Sequence, residues 1–202
     1  MSSIPTTDHD LGVRLTERAW VSIAGGYDLQ VHVEPDLAPR RTDDVDLARD
    51  FLARGLAGFV LKSHYAPTAE RASVVRRAVP GIEAYGAISL NHGVGGLNPV
   101  AIDIAGRSGA KIVWLPTHDA ENEADAAGKP MPHPPVWVAI KQEMEQRGWL
   151  RGSVAVFDAA GEPVPALLEC IDAVAAHGMA LATSHLSRDE IVRVVPLPSI
   201  AG

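Results

Sequence analysis

The residues best suited to chemistry lie in Tyr27-Asp28-Leu29-Gln30-Val31-His32-Val33, which runs into Glu34-Pro35-Asp36. Side chains alternate along an extended strand, so Gln30 and His32 share a face, an arrangement that presents a pair of metal ligands. His64, His92, His118 and His185 likewise fall at, or a few residues beyond, the C-terminal end of a predicted strand. In parallel α/β folds the βα loops converge at that edge, and ligands bind there. Imidazoles and carboxylates suit a divalent metal, Zn²⁺ first with Mn²⁺ or Fe²⁺ as alternatives. A catalytic metal keeps one position open for water and lowers that water's pKa. The expected ligands are His32, His64, His118 and His185, with Asp28 and Asp119 as bridging or supporting carboxylates. Lys62, at a strand end, can polarise a substrate oxygen or contact an anion. Lys62 and Asp28 are therefore the candidate catalytic groups. Asn91, Gly95, Gly96 and Asn98 precede a predicted helix start, where backbone amides can hold a carboxylate or phosphate, and are the candidate substrate-binding residues. His9, His133 and His177 are read as structural: one in the tail, one in a Pro-rich loop, one at a helix end.

These residues need elements to position them. Short apolar runs alternate with stretches of helical period. Residues 1–24 are a polar tail and a short lead-in helix. After the first strand, Asp43 to Arg54 carries apolar residues at helical spacing, with Asp43 or Asp44 as N-cap and Gly55 as C-cap. Gly58 to His64 is a second strand, and Thr68 to Val79 a helix capped by Thr68. Glu83 to Leu90 is a third strand; Pro99 starts a helix that ends at Arg107. Lys111 to Leu115 is a fourth strand, with Pro116-Thr117-His118-Asp119 as its polar exit. Ala120 to Pro135 reads as a long loop, Trp137 to Arg147 as a helix, and Val154 to Asp158 as a short strand. Val164 to His177 is a helix with Leu167, Leu168, Ile171, Val174 and Ala175 inward. Ala180 to His185 is the fifth main strand, and Ser187 with Glu190 makes a capping box for a helix that barely begins. Residues 192–202 read as an irregular tail. Strand, helix, strand in this repetition specifies a parallel α/β sheet.

Composition narrows the partners. A formal charge of -7 and 47% hydrophobic residues in 202 describe one domain, residues 25–191, with no concentrated Lys/Arg face for nucleic acid or an anionic membrane. Cys170 is the single cysteine, so an intrachain disulfide and a cysteine-based zinc site are both excluded. The first ten residues lack a basic n-region and an apolar h-region, and no uncharged apolar run approaches ~18 residues. The expectation is a cytoplasmic protein acting on a small molecule.

A wider pattern joins the motifs. Tyr27 to Asp36, Leu61-Lys62-Ser63-His64, Gly86-Ala87-Ile88-Ser89-Leu90-Asn91 with Gly95-Gly96-Leu97-Asn98-Pro99, Val113-Trp114-Leu115-Pro116-Thr117 and Thr183-Ser184-His185-Leu186-Ser187 follow in order. This succession resembles an uncharacterised cytosolic family within the amidohydrolase-type TIM-barrel group, over Gly26 to Glu190. Gln30 stands where that pattern has the first His of Asp-x-His-x-His. The resemblance implies a parallel (β/α) barrel and metal-dependent hydrolysis of an amide, lactam or ester. A full barrel takes ~250 residues, whereas this chain holds about five to six of eight βα units, so the barrel is expected to be incomplete. Its open parallel edges call for a covering chain, and the expectation is a homo-oligomer. Two other readings stay open: a metal-dependent lyase or decarboxylase on the same scaffold, and an inactive, truncated or binding-only chain.

Overall fold

A computed structural model describes residues 16–123, 136–150 and 152–197. Five strands, β1 (Tyr27–Val31), β2 (Gly58–Leu61), β3 (Glu83–Ser89), β4 (Ala110–Trp114) and β5 (Ala180–Ala182), form one sheet in that same order, and every neighbouring pair is parallel. Each strand lies beside its successor, so the chain winds in one direction and the sheet curls into a half-barrel. The helices are α1 (Glu17–Ile23), α2 (Asp44–Ala53), α3 (Ala69–Ala78), α4 (Pro99–Arg107), α5 (Val136–Gln146), α6 (Pro165–Ala176) and α7 (Arg188–Val194). None of them is long and apolar enough to cross a membrane.

Local chemistry explains most of these boundaries. The Asp43 carboxylate accepts from the amides of Val45 and Asp46, and Asn98 Oδ1 accepts from Ala101 N with Pro99 in the first turn. These side chains satisfy amides that a helix start leaves without intrahelical partners. Two apolar layers cover the outer face of the sheet. Val31, Phe59 and Leu61 pack with Ala48, Ala72 and Val75 of α2 and α3. Ile88, Val113 and Leu115 pack with Ile102 and Ala105 of α4 and Leu167, Cys170 and Ile171 of α6. Cys170 is fully buried there, and burial, with Glu169 nearby, pushes its thiol up to about 12. The concave face carries a smaller cluster of Val60, Ala87 and Ile112, flanked by Tyr85, Trp114 and Ala182.

Close approach sets two glycines. A Cβ on Gly86 would stand 2.3 Å from Ala69 Cα, so only glycine lets the start of α3 lie on β3. A Cβ on Gly106 would meet the His177 ring at 2.5 Å. That ring closes α6 onto α4 through His177 Nε2 and Asp103 Oδ1 at 2.7 Å, which bears out a structural role for His177.

The structure corrects several expectations. The helix after Ser187 runs to Val194, which is 3% exposed, because the capping box is complete and a buried Val194 anchors its far end. The irregular tail therefore begins later than residue 192. Val154 to Asp158 is not a strand; it makes isolated bridges at Val154 with Ala120 and at Phe157 with Pro163. On α6, Cys170 is inward and Ala175 exposed. His9, His133 and most of the loop expected over residues 120–135 lie outside the described residues.

Thr68 does not cap α3 with its side chain. Its hydroxyl is within 2.6 Å of Leu61 O and 3.2 Å of Ala87 O, and accepts from Ala87 N at 2.8 Å. It thereby ties the ends of β2 and β3 together. Thr68→Val keeps the shape and leaves these buried groups short of a partner. The expected loss is about 2 kcal/mol in unfolding free energy, read as a lowered urea midpoint with unchanged slope.

Candidate functional site

Four histidines come together at the C-terminal edge of the half-barrel, around His64. The His32 ring stacks on it with centroids 4.7 Å apart, His118 meets it edge-on at 5.3 Å, and His185 lies at 6.5 Å. Tyr65 completes the group, 5.5 Å from His118. Each ring arrives from a different loop: His32 follows β1, His64 follows β2, His118 follows β4 and His185 follows β5. The parallel winding brings these loops to one end.

A buried polar network holds the rings. Asn91, just past β3, is fully buried. Its Nδ2 donates to His64 O at 3.0 Å and to Thr117 Oγ1 at 2.6 Å, with His118 Nδ1 at 3.3 Å, while its Oδ1 accepts from Thr117 N at 2.8 Å and Asp119 N at 3.4 Å. Thr117 Oγ1 also lies 2.8 Å from His64 Nδ1, which fixes that ring's rotation. Asp119 Oδ2 accepts from His92 N at 2.9 Å and lies 3.4 Å from His118 Nε2. Lys141 of α5 reaches Asp119 Oδ1 at 3.4 Å and His118 O at 3.0 Å. The first contact is an ion pair without hydrogen-bond geometry, and Oδ1 has no hydrogen-bond partner among the described residues.

His185 is set differently. Ser184 before it has φ 56°, a left-handed backbone rare outside glycine and a form of strain that accumulates at working sites. The turn lets His185 N donate to Pro116 O at 3.3 Å, while His185 Nδ1 donates to Glu123 Oε1 at 2.9 Å. A carboxylate oxygen accepts only, so a proton sits on Nδ1, and Nε2 is the nitrogen that this contact leaves unused. His32 Nδ1 is buried with no hydrogen-bond partner among the described residues.

Burial also fixes the charge states. His32 is pushed down to about 4, by burial first and then by Arg40 and Lys62 nearby; His64 goes to about 3, by burial and the surrounding imidazoles. Burial lowers His118 too, against the opposing pull of Asp119. These three rings are therefore neutral at pH 7, the form in which imidazole binds a metal. Lys62 is 3% exposed, and burial lowers it to about 8; its amine lies 4.1 Å from the centre of the Trp114 ring.

The remaining candidates divide. Asp28 is exposed, and its Oδ1 accepts from Gln30 N at 2.9 Å. Four residues of strand put it roughly 13 Å below His32, so the structure does not bring it to the cluster. A bulge over Leu29 and Gln30, between the Asp28 and Val31 pairings, leaves both side chains exposed. The amide cradle is corrected as well. Gly95 N donates to His92 O and Gly96 N to Asn91 O, both at 2.9 Å, while the Asn98 side chain serves α4 and Val94 O. Those groups are used inside the loop, and Asn91 acts through its side chain. His92 Nε2 donates to Gly152 O at 3.2 Å. Sequence reasoning missed Thr117, Glu123, Lys141 and Trp114 as site residues; only Thr117, in the polar exit of β4, carried a local signal.

As placed, the rings are gathered without converging on one point. Lone pairs lie in the ring plane, and the His32 and His64 planes differ by only 19°, so their lone pairs do not meet. Among the described residues no group of three His, Cys, Asp or Glu side chains has the spacing of a formed metal site. The donor types nonetheless fit a divalent transition metal: imidazoles, His185 backed by the Glu123 carboxylate and His32 with a buried nitrogen that has no hydrogen-bond partner among the described residues. His118 is the poorest ligand, because Asn91 and Asp119 face its two nitrogens.

The sequence profile of a family described as a family of unknown function, DUF6282, matches residues 25–198, and the chain belongs to that family. No curated protein matches it.

The low values of His32 and His64 give a pH dependence to the metal-free chain. Below about pH 6.5 the unfolded chain takes up protons that the folded rings refuse until about pH 4 and pH 3. The unfolded state then binds more protons, so stability falls as the pH is lowered through that window, with a limiting slope of about 1.4 kcal/mol per unit for each ring. Urea midpoints at pH 7.5, 5.5 and 4.5 should fall in that order, and His64→Gln should flatten the trend.

Proposed function

We propose that this member of the DUF6282 family is a metal-dependent hydrolase of the amidohydrolase type, acting on an amide, lactam or ester of a small molecule. One observation carries the reading: imidazoles from four loops gather at the C-terminal edge of a singly wound parallel sheet, with His185 backed by Glu123. With the His32 ring, which no hydrogen bond at Nδ1 holds among the described residues, turned out of its stack, His32, His64 and His185 would hold the ion, which would supply Lewis acidity to the scissile carbonyl and to the attacking water.

The chain's own groups do the rest. Glu123 holds the proton on His185 Nδ1 and thereby directs Nε2 toward the site. Thr117 and Asn91 fix the His64 ring from behind. Asp119, held by His92 N and Lys141, keeps His118 in place as a neutral wall of the site. Lys62 meets the substrate over Trp114. Its burial with no acid partner among the described residues also favours a second reading, a lyase or decarboxylase on this scaffold, which product analysis separates from hydrolysis. In this reading a second copy of the chain covers the exposed edge strand β1, and the protein acts as a homo-oligomer.

Elemental analysis tests the reading. The purified chain should hold near one or two equivalents of Zn, Mn or Fe per protomer. His32→Ala should abolish retention while the circular dichroism and urea midpoint stay near those of the parent. Glu123→Gln should weaken metal affinity about 10- to 100-fold. Metal near zero after growth in supplemented medium would reject the hydrolase and leave a binding-only chain.

A further inference from the structure

The cations around the histidine cluster are not equivalent. Arg40 is held by Asp36, its Nε and Nη2 at 2.7 and 2.6 Å from Oδ2. Lys141 is held by Asp119 Oδ1 and His118 O. Lys62 is the most buried of the three residues, yet among the described residues its ammonium meets neither a carboxylate nor a hydrogen-bond acceptor, and it lies over the face of Trp114. An aromatic face offsets part of the cost of burying a cation but satisfies none of its N–H groups. A buried charge in a folded protein is ordinarily paired.

We infer that Lys62 is the recognition point for a carboxylate on the substrate, held against the Trp114 side of the concave face beside the histidine cluster. The charge count favours a carboxylate over a phosphate: one cation is left unpaired, and the loop amides that would cradle a phosphate are bonded to His92 O and Asn91 O. Below the amine, Val60, Ala87 and Ile112 give the concave face an apolar floor, suited to the hydrocarbon part of the same molecule. The substrate class is thus a small carboxylic acid that also carries an amide, lactam or ester. The hydrolysable bond rests on the hydrolase reading above; the carboxylate does not.

Binding measured by calorimetry on the full 202-residue chain tests this, with benzoate as probe, benzamide as its uncharged isostere, and inorganic phosphate. Wild type should bind benzoate at least tenfold more tightly than benzamide or phosphate. Lys62→Met should lose that preference by about tenfold or more, the scale of a charged hydrogen bond, while Lys62→Arg retains part of it. Lys62→Met should also unfold at a higher urea concentration than wild type, because a buried unpaired charge is gone; a structural lysine would give the opposite shift. Failure of wild type to bind benzoate, equal binding of benzamide, tighter binding of phosphate, or an unchanged preference in Lys62→Met would each overturn the assignment. Metal content determined on the same samples keeps the two ideas apart. Benzoate preference without metal rejects the hydrolase alone, and metal without benzoate preference rejects the carboxylate site alone.

Discussion

Every polar atom of the Asn91 side chain is used inside the protein, on the loops that follow β2 and β4. From its own place after β3, one carboxamide therefore joins three successive strand ends. The geometry needs both halves of the amide. A carboxylate could not donate to His64 O, and it would stand close to Asp119, whose backbone amide the Asn91 oxygen accepts. An apolar residue of the same size would leave Thr117 N and His64 O buried without this partner. The rotation of His64, the seat of His118 and the path of Thr117 all depend on this contact.

Much of the scaffold was legible because its signals are local. Asp43, Asn98 and the pair Ser187 and Glu190 mark helix starts through bonds spanning two or three residues. The placement of histidines at strand ends needed only the strand pattern and the rule that parallel strands share a ligand-binding edge. What escaped detection is non-local. Glu123 meets His185 across 62 residues, and Lys141 meets Asp119 from a helix whose sequence says nothing of a site. Asn91 was placed in the right loop for the wrong reason: its neighbourhood looked like a backbone cradle, and its side chain proved to be the connector. Leu29 and Gln30 defeated the alternation rule because a bulge adds a residue that no pattern in the strand announces.

The electrostatics of the site run against those of the chain. The protein carries a formal charge of -7, yet Arg40 and Lys62 both press His32 toward its neutral form. Burial acts in the same direction on His64 and His118. The result is a group of neutral rings beside one ammonium that no carboxylate meets among the described residues, a combination that welcomes an electron-rich ligand while the surface as a whole repels polyanions. Keeping Lys62 buried with no acid partner among the described residues costs stability, and such costs are concentrated where a protein meets its ligand.

Cys170 lies on the buried face of α6 in the outer core, with its thiol held in the unreactive protonated form. The chain thus arrives with a silent background for thiol chemistry. A cysteine introduced at an exposed position, for example at Val100 on α4, would be the one that maleimide or methanethiosulfonate reagents modify under native conditions. A single fluorophore or spin label can be set at a chosen point without first removing a native residue, and distances from it to an ion or ligand among the histidines become measurable in solution.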